Sequence, residues 1–292
     1  MKASMWTQFF RDQSIDEAMD ELAEAGFRWA ELSCEMVRDP RTRYLSRARA
    51  EHIALCARHV NIGIGQVHFP IRTMDPQGVD ASIAEGSLSD FASTDPRRRE
   101  FELTAAEDLL ALCPVMDIPV MVVHPGGAHH ADTTSSDLHG ENVEVFSRLA
   151  PVAREHGVVI AIENMGAWMG RRHFGVELED LLGVIEEVDS GALGICYDSS
   201  HANFSGVDHG QFIRGAGSRL VATHLSDNLG QGDNHLLPWG GTVPWPEVVA
   251  ALEEIDYRGL VNLEIPGENG APLEVLRLKA RYARQLLEAM WA

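Results

Sequence analysis

The 292-residue sequence predicts an α/β fold, a single (β/α)8 TIM barrel spanning residues 1–292. Three observations predict it. Strand and helix signals alternate along the whole chain, with no linker dividing it and no close repeat beyond the strand–helix period. The fourth to eighth strands read as short apolar runs without polar alternation, as expected of parallel strands covered on both faces. Six metal-capable side chains close successive runs: His68 (GIGQVH), His124 (VMVVH), Glu163 (VIAIE), Asp198 (LGICYD), His224 (VATH) and Glu264 (VNLE). Their separations are 56, 39, 35, 26 and 40 residues, and a strand with its loop and return helix takes about 30. Strand carboxyl ends in such a barrel meet at one mouth, so these groups converge although they are far apart in sequence.

The elements follow in order. The first strand lies within residues 3–10. Ser14 followed by Ile15-Asp16-Glu17 is a capping-box pattern that opens a helix through about Ala25, and Gly26 stops it. Residues 28–34 form the second strand, ending near Glu35. A helix rich in Arg and Ala occupies about 43–59, and the third strand is 62–68. Residues 69–96 then break the rhythm with Pro70, Pro76, Gly78, Gly86 and Pro96 among five acids; this long loop excursion is expected over the barrel mouth. A helix at 97–113 leads to the fourth strand at 118–124, and a His-rich loop to a helix ending near 156. The fifth strand is 158–163, the next helix 177–188, the sixth strand 192–198 and a short helix 208–216. The seventh strand is 220–226, a helix 244–255, the eighth strand 259–265 and a last amphipathic helix 271–290.

Composition narrows the function. Forty-four acidic against 24 basic residues leave a formal charge of −20, a surface that gives nucleic acid or anionic lipid little to hold. No apolar run approaches about 18 residues, so no membrane span is expected. The N-terminus lacks the segments of a signal peptide. Cys34, Cys56, Cys113 and Cys196 form no CxxC pair. Cys34 and Cys196 lie in apolar strand runs, which favours buried free thiols in a reducing cytoplasm. Lys2 and Lys279 are the two lysines; neither ends a strand, so Schiff-base chemistry has no evident nucleophile.

A carboxylate directly after VIAI or VNL is costly to bury unless it is paired or metal-bound. Glu163, Glu264 and Asp198 therefore read as mouth groups, since barrel catalysis sits at strand carboxyl ends. His201, just past Asp198, faces the same cavity in this reading, and His224 joins the three carboxylates. Two Glu, one Asp and one His suit Mn²⁺, Co²⁺, Mg²⁺ or Zn²⁺ without choosing among them. Asp233 and His235, in the glycine-rich segment that follows, are placed to bind a second metal or a substrate hydroxyl. His129, His130, His139 and His173 are expected in solvated loops, and His52, His59 and His156 on solvent-facing helix positions. Trp6, Phe69, Trp168 and Trp239 are candidates to present apolar faces to sugar C–H groups. Arg171 and Arg172 are the paired basic residues nearest the mouth.

These positions carry a resemblance. VVHPGG (122–127), IAIENMG (160–166), YDSSHAN (197–203), HLSDN with GDNHLLPWGGTVPW (224–245) and NLEIPG (262–267) are similar, in order and register, to the xylose isomerase-like barrel superfamily of sugar phosphate isomerases and epimerases. The resemblance covers most of the chain and is not specific for a substrate. It implies one divalent metal on Glu163, Asp198, His224 and Glu264, with Glu163 and Glu264 as the acid/base pair and His201 touching substrate. His68 and His124 are then expected to touch substrate or bound water, because four ligands fill most of a metal's shell. A second branch contains apurinic-site endonucleases with three zinc ions. Their nine ligands match His68, His124, Glu163, Asp198, His201, His224, Asp233, His235 and Glu264, so residue identity alone leaves that branch open.

The expected function is a metal-dependent sugar isomerase or epimerase. One glutamate removes the proton beside a polarised carbonyl, and a proton returns to the neighbouring carbon or the opposite face. A keto-polyol dehydratase or lyase on the same groups, a three-zinc phosphodiesterase, and a barrel that binds without turnover are the alternatives. The expected partner is a small sugar or keto-polyol, with homo-oligomerisation left open.

Overall fold

In the computed structural model, the described residues are 1–37, 45–71, 89–127, 135–167, 173–268 and 270–292. Eight parallel strands form the barrel: β1 (Lys2–Trp6), β2 (Trp29–Ser33), β3 (Gly63–His68), β4 (Val120–Val123), β5 (Val159–Glu163), β6 (Leu193–Asp198), β7 (Leu220–His224) and β8 (Leu260–Leu263). The ladder runs β7-β6-β5-β4-β3-β2-β1-β8. The seam between β7 and β8 is drawn together by a parallel bridge of Leu225 with Leu263. There Leu225 donates to the Asn262 carbonyl at 2.8 Å and Glu264 to the Leu225 carbonyl at 3.2 Å. The barrel class is therefore as the strand period predicts.

The helices that follow are α1 (Ile15–Glu24), α2 (Cys34–Val37), α3 (Arg47–His59), α4 (Pro96–Leu112), α5 (Ser135–Glu155), α6 (Leu178–Val188), α7 (Ser199–Ser205), α8 (His209–Ala216), α9 (Trp245–Glu254) and α10 (Leu273–Met290). Local chemistry sets their starts. Ser14 and Glu17 close the capping box on α1, and Asp95 caps α4 with Pro96 in its first turn, where a missing N–H costs nothing. Sequence patterning overlooks α2 and α7, each too short to display a helical period. It also extends the seventh strand too far, since β7 ends at its histidine, whereas β1 begins one residue before the expected range and gives way to a 3-10 turn at Thr7–Phe10. Of the expected excursion at 69–96, residues 72–88 lie outside the described residues, as do His129, His130, Trp168, Arg171 and Arg172.

Leucine, isoleucine, phenylalanine and alanine from helices and outward strand faces make the main core. A separate small apolar cluster, Val122, Ala161, Cys196 and Ala222, plugs one side of the barrel interior. Each of these lies two residues before a mouth side chain, as a period of two requires. The opposite interior side is polar: Ser4 donates to Asn262 at 2.8 Å, and Gln66 donates to Glu31.

Candidate metal centre

The strand ends place all six converging groups at one mouth. Glu163 is central. Its carboxylate lies 3.4 Å from His68 Nε2, 3.5 Å from His124 Nε2, 3.4 Å from His201 Nδ1 and 3.3 Å from His224 Nδ1. His224 Nδ1 is also 3.6 Å from Glu264 Oε2. Ligand atoms of Glu163, Asp198, His224 and Glu264 all fall within 4.8 Å of one another. His68, Glu163 and His224 form an overlapping trio within the same limit.

The donor set fits a divalent cation on a direct observation. Glu163 Oε2, Asp198 Oδ2, His224 Nδ1 and His68 Nε2 are buried and have no hydrogen-bond partner. Unsatisfied buried polar atoms each cost about 1–3 kcal/mol, and the two overlapping groups that contain these four share Glu163 and His224, so the cluster calls for a ligand. The free Asp198 oxygen has a structural origin. Asp198 caps α7, and its Oδ1 accepts from the His201 N–H at 2.7 Å, leaving Oδ2 free for the mouth. The same short helix positions His201.

Anchoring bonds set which imidazole nitrogen points inward. His68 Nδ1 bonds the Phe69 carbonyl at 2.6 Å, His201 Nδ1 the Asn164 carbonyl at 2.8 Å and His235 Nδ1 the Glu264 carbonyl at 2.9 Å. A carbonyl only accepts, so Nδ1 carries the proton in each. His224 is reversed. Its Nε2 lies 2.8 Å from Glu31 Oε2, with both residues fully buried, so Nε2–H donates and Nδ1 faces Glu163 and Glu264. A carboxylate behind a histidine ligand is a usual support of metal sites. Glu31 is the site residue that sequence reasoning missed. The available signal was a lone acid between Ala30 and Leu32 in β2, which a period of two turns inward with Ser33.

Electrostatics separate the two glutamates. Burial opposes ionisation of Glu163, yet the imidazoles of His224 and His124 hold its carboxyl well below the usual range. Burial pushes Glu264 up to about 8, although His224 and His235 pull it down. Burial likewise raises Asp198. Such a divergence is what an acid/base pair needs, and a bound divalent cation favours the ionised form of both.

Asp233 and His235 reach the mouth on the segment after β7. His235 Nε2 lies 2.7 Å from Asp233 Oδ2, and Asp233 lies 3.8 Å from His201 Nε2. Asp227 anchors this segment: it accepts from Trp245 Nε1 at 2.8 Å and Val243 N at 3.0 Å, and pairs its backbone with Leu236. Gly241 is required there, because a Cβ would meet the Asn228 carbonyl oxygen at 2.1 Å.

Other expected positions need correction or qualification. His173 is buried at 8% exposure, not solvated. His139 sits on α5, 2.9 Å from Glu187, where the loop reading missed a hydrogen bond between helices. His52 faces the α1–α3 junction and bonds Asp16. Among the aromatic candidates, Phe69 is buried against Phe91 with centroids 5.2 Å apart, Trp6 lies tilted beside His68, and Trp239 is 59% exposed. Hollows of about 610 and 580 Å³ occur around Lys2 and Tyr257 and around Arg28 and Met116. Both lie at the amino-terminal end of the strands and lack converging ligand groups.

Comparison with known proteins agrees with this architecture. The chain is 27% identical over 267 residues to an uncharacterised protein of Methanocaldococcus jannaschii, covering 90% of this chain and 83% of that protein. It is 25% identical over 268 residues to a D-psicose 3-epimerase of Enterocloster bolteae, covering 89% and 79%. The crystal structure of a D-tagatose 3-epimerase-like protein superposes with a TM-score of 0.79 at 25% identity, covering 100% of this chain and 97% of that one. The family model described as xylose isomerase-like TIM barrel matches residues 19–288, and the chain belongs to that family.

Proposed function

We propose that this protein is a divalent-metal-dependent sugar epimerase or isomerase acting on a small ketose or related keto-polyol. The observation that carries the reading is the pair Glu163 and Glu264, both facing His224 Nδ1, in a four-residue group where Glu163 Oε2, Asp198 Oδ2 and His224 Nδ1 are buried without partners. Similarity to a D-psicose 3-epimerase over most of both chains supports it, as does an acidic chain that repels polyanions.

Glu163, Asp198, His224 and Glu264 hold the cation, which when bound polarises a carbonyl and acidifies the neighbouring C–H. Glu163, kept ionised by its imidazoles, removes that proton. Glu264 returns a proton to the opposite face, giving the epimer. Return to the adjacent carbon gives the isomer instead. His201 and the Asp233–His235 pair contact substrate hydroxyls, and His68 and His124 orient the substrate around Glu163. Glu31 holds His224 in the tautomer that leaves Nδ1 free.

A second reading rests on the His68–Glu163–His224 trio with His201, Asp233 and His235 beside it. Those groups offer ligands for further metal ions and hence for phosphodiester hydrolysis at a three-metal cluster. One experiment separates the readings. The metal-loaded protein is incubated with ketoses, aldoses and inosose-like ketones in D₂O and followed by NMR, in parallel with abasic DNA. Deuterium beside the carbonyl with a new epimer or isomer supports the proposal, and loss of water identifies a dehydratase. Nicking of DNA with inert sugars and three metals per chain refutes it.

A further inference from the structure

On the outer wall of the barrel, away from the strand ends, α1 and α3 bring three ligand-type side chains together. Asp16 lies in the first turn of α1. His52 and Cys56 are one turn apart on α3, so they share a face. His52 Nε2 is 2.9 and 3.0 Å from the two Asp16 oxygens and 3.5 Å from Cys56 Sγ. One ligand atom from each lies within 4.8 Å of the others. The cluster opens onto a hollow of about 460 Å³ whose lining includes Asp20 and His59.

Two chemistries are available to such a trio. Nucleophilic relay needs the acid on one imidazole nitrogen and the thiol on the other. Here a single nitrogen faces both, so His52 cannot pass a proton between them. Burial and the neighbouring Asp16 also push the thiol up to about 11. Metal ligation needs the opposite arrangement, with all donor atoms aimed at one point. A tetrahedral zinc with ligands at about 2.0–2.3 Å has ligand-to-ligand edges of roughly 3.3–3.8 Å. The sulfur–nitrogen spacing already matches. The Asp16 side chain, about half exposed, has room to open its shorter spacing by the few tenths required. The helices beneath are fixed by Ile15, Met19, Leu22 and Ile53, all buried, so the donors are held on rigid elements.

We propose that Asp16, His52 and Cys56 form a zinc site between α1 and α3, open at a fourth position to water or to a further donor in the hollow. Binding releases the Cys56 thiol proton to solvent. The imidazole N–H moves to Nδ1, and the sulfur and Nε2 lone pairs bind the cation. No redox change occurs. The bound ion clips two adjacent outer helices at a place independent of the barrel mouth, whose four-ligand set is made of oxygen and nitrogen donors.

Cobalt(II) is the probe. Full-length protein titrated with Co²⁺ should develop a near-ultraviolet sulfur-to-cobalt charge-transfer band, and Cys56→Ser and His52→Ala should each lose it. Thiol labelling gives an independent readout. Cys34, Cys113 and Cys196 are buried and Cys56 is partly open, so maleimide should modify Cys56 in the folded protein. Zn²⁺ should block that labelling in the wild type but not in His52→Ala. Melting curves without metal establish that both variants fold. A charge-transfer band that persists in Cys56→Ser, or labelling that proceeds unchanged at saturating Zn²⁺, overturns the site.

Discussion

Glu31 offers the sharpest test of how the mouth is built. Its Oε2 accepts from both His224 Nε2 and Gln66 Nε2, while Oε1 is buried without a partner. Replacement by Gln keeps an acceptor oxygen for both donors, removes the charge and puts an NH₂ in place of Oε1. Replacement by Leu fills a similar volume and removes the acceptor, freeing His224 to turn or to place its proton on Nδ1. Losing the carboxylate behind a metal-bound histidine weakens affinity about 10–100-fold. That is about 1.4–2.8 kcal/mol at 1.4 kcal/mol per decade. The range agrees with the roughly 1.5–3 kcal/mol of a hydrogen bond to a charged group. Glu31→Gln should therefore sit near the lower bound and Glu31→Leu near the upper. Calorimetric titration of the apoprotein with Mn²⁺ measures both affinities. Nitrogen-15 NMR of the imidazoles reports the His224 tautomer, and circular dichroism checks the fold. If Glu31→Leu binds Mn²⁺ as tightly as the wild type and His224 keeps its proton on Nε2, the positioning argument is wrong.

Four further outcomes are expected. Glu163→Gln and Glu264→Gln should each abolish turnover and weaken metal binding while the circular dichroism spectrum is retained; wild-type rates on an identified substrate would remove both from the proton transfer. Metal analysis of protein purified without chelator should find one ion per chain in the mouth when Cys56→Ser excludes the outer site, and three there would favour the phosphodiesterase reading. Metal binding at the mouth should release protons at neutral pH: burial disfavours a charged His224, but the neighbouring Cys196, Glu31, Glu163 and Glu264 outweigh it and hold that imidazole well above its ordinary value. Affinity should consequently rise with pH, and titration in buffers of different ionisation enthalpy counts the protons. Asp227→Ala leaves the buried Trp245 Nε1 and Val243 N without their acceptor, at about 1–3 kcal/mol each. It should lower the melting temperature and loosen the Asp233–His235 segment, read as a raised KM.

Barrel class, strand order along the chain and the convergence of four metal-capable side chains were legible because they depend on local rules. An apolar run flanked by turn residues marks a buried parallel strand, and a charged residue at its end is costly unless it has a task. Those rules place Glu163, Asp198, His224 and Glu264 without coordinates. They stop where a contact joins residues distant in sequence. Glu31 and His224 are 193 residues apart, and only closure of the barrel reveals that β2 supplies the carboxylate behind a β7 histidine. Imidazole orientation is equally nonlocal, since the carbonyl or carboxylate that anchors one nitrogen selects which nitrogen enters the mouth. Short helices such as α7 also need the fold, because Asp198 caps it from a strand end that the sheet has already positioned. The division between Glu163 and Glu264 has the same origin. Identical side chains at equivalent strand ends differ in proton affinity because their neighbours differ, and the neighbours are set by tertiary packing.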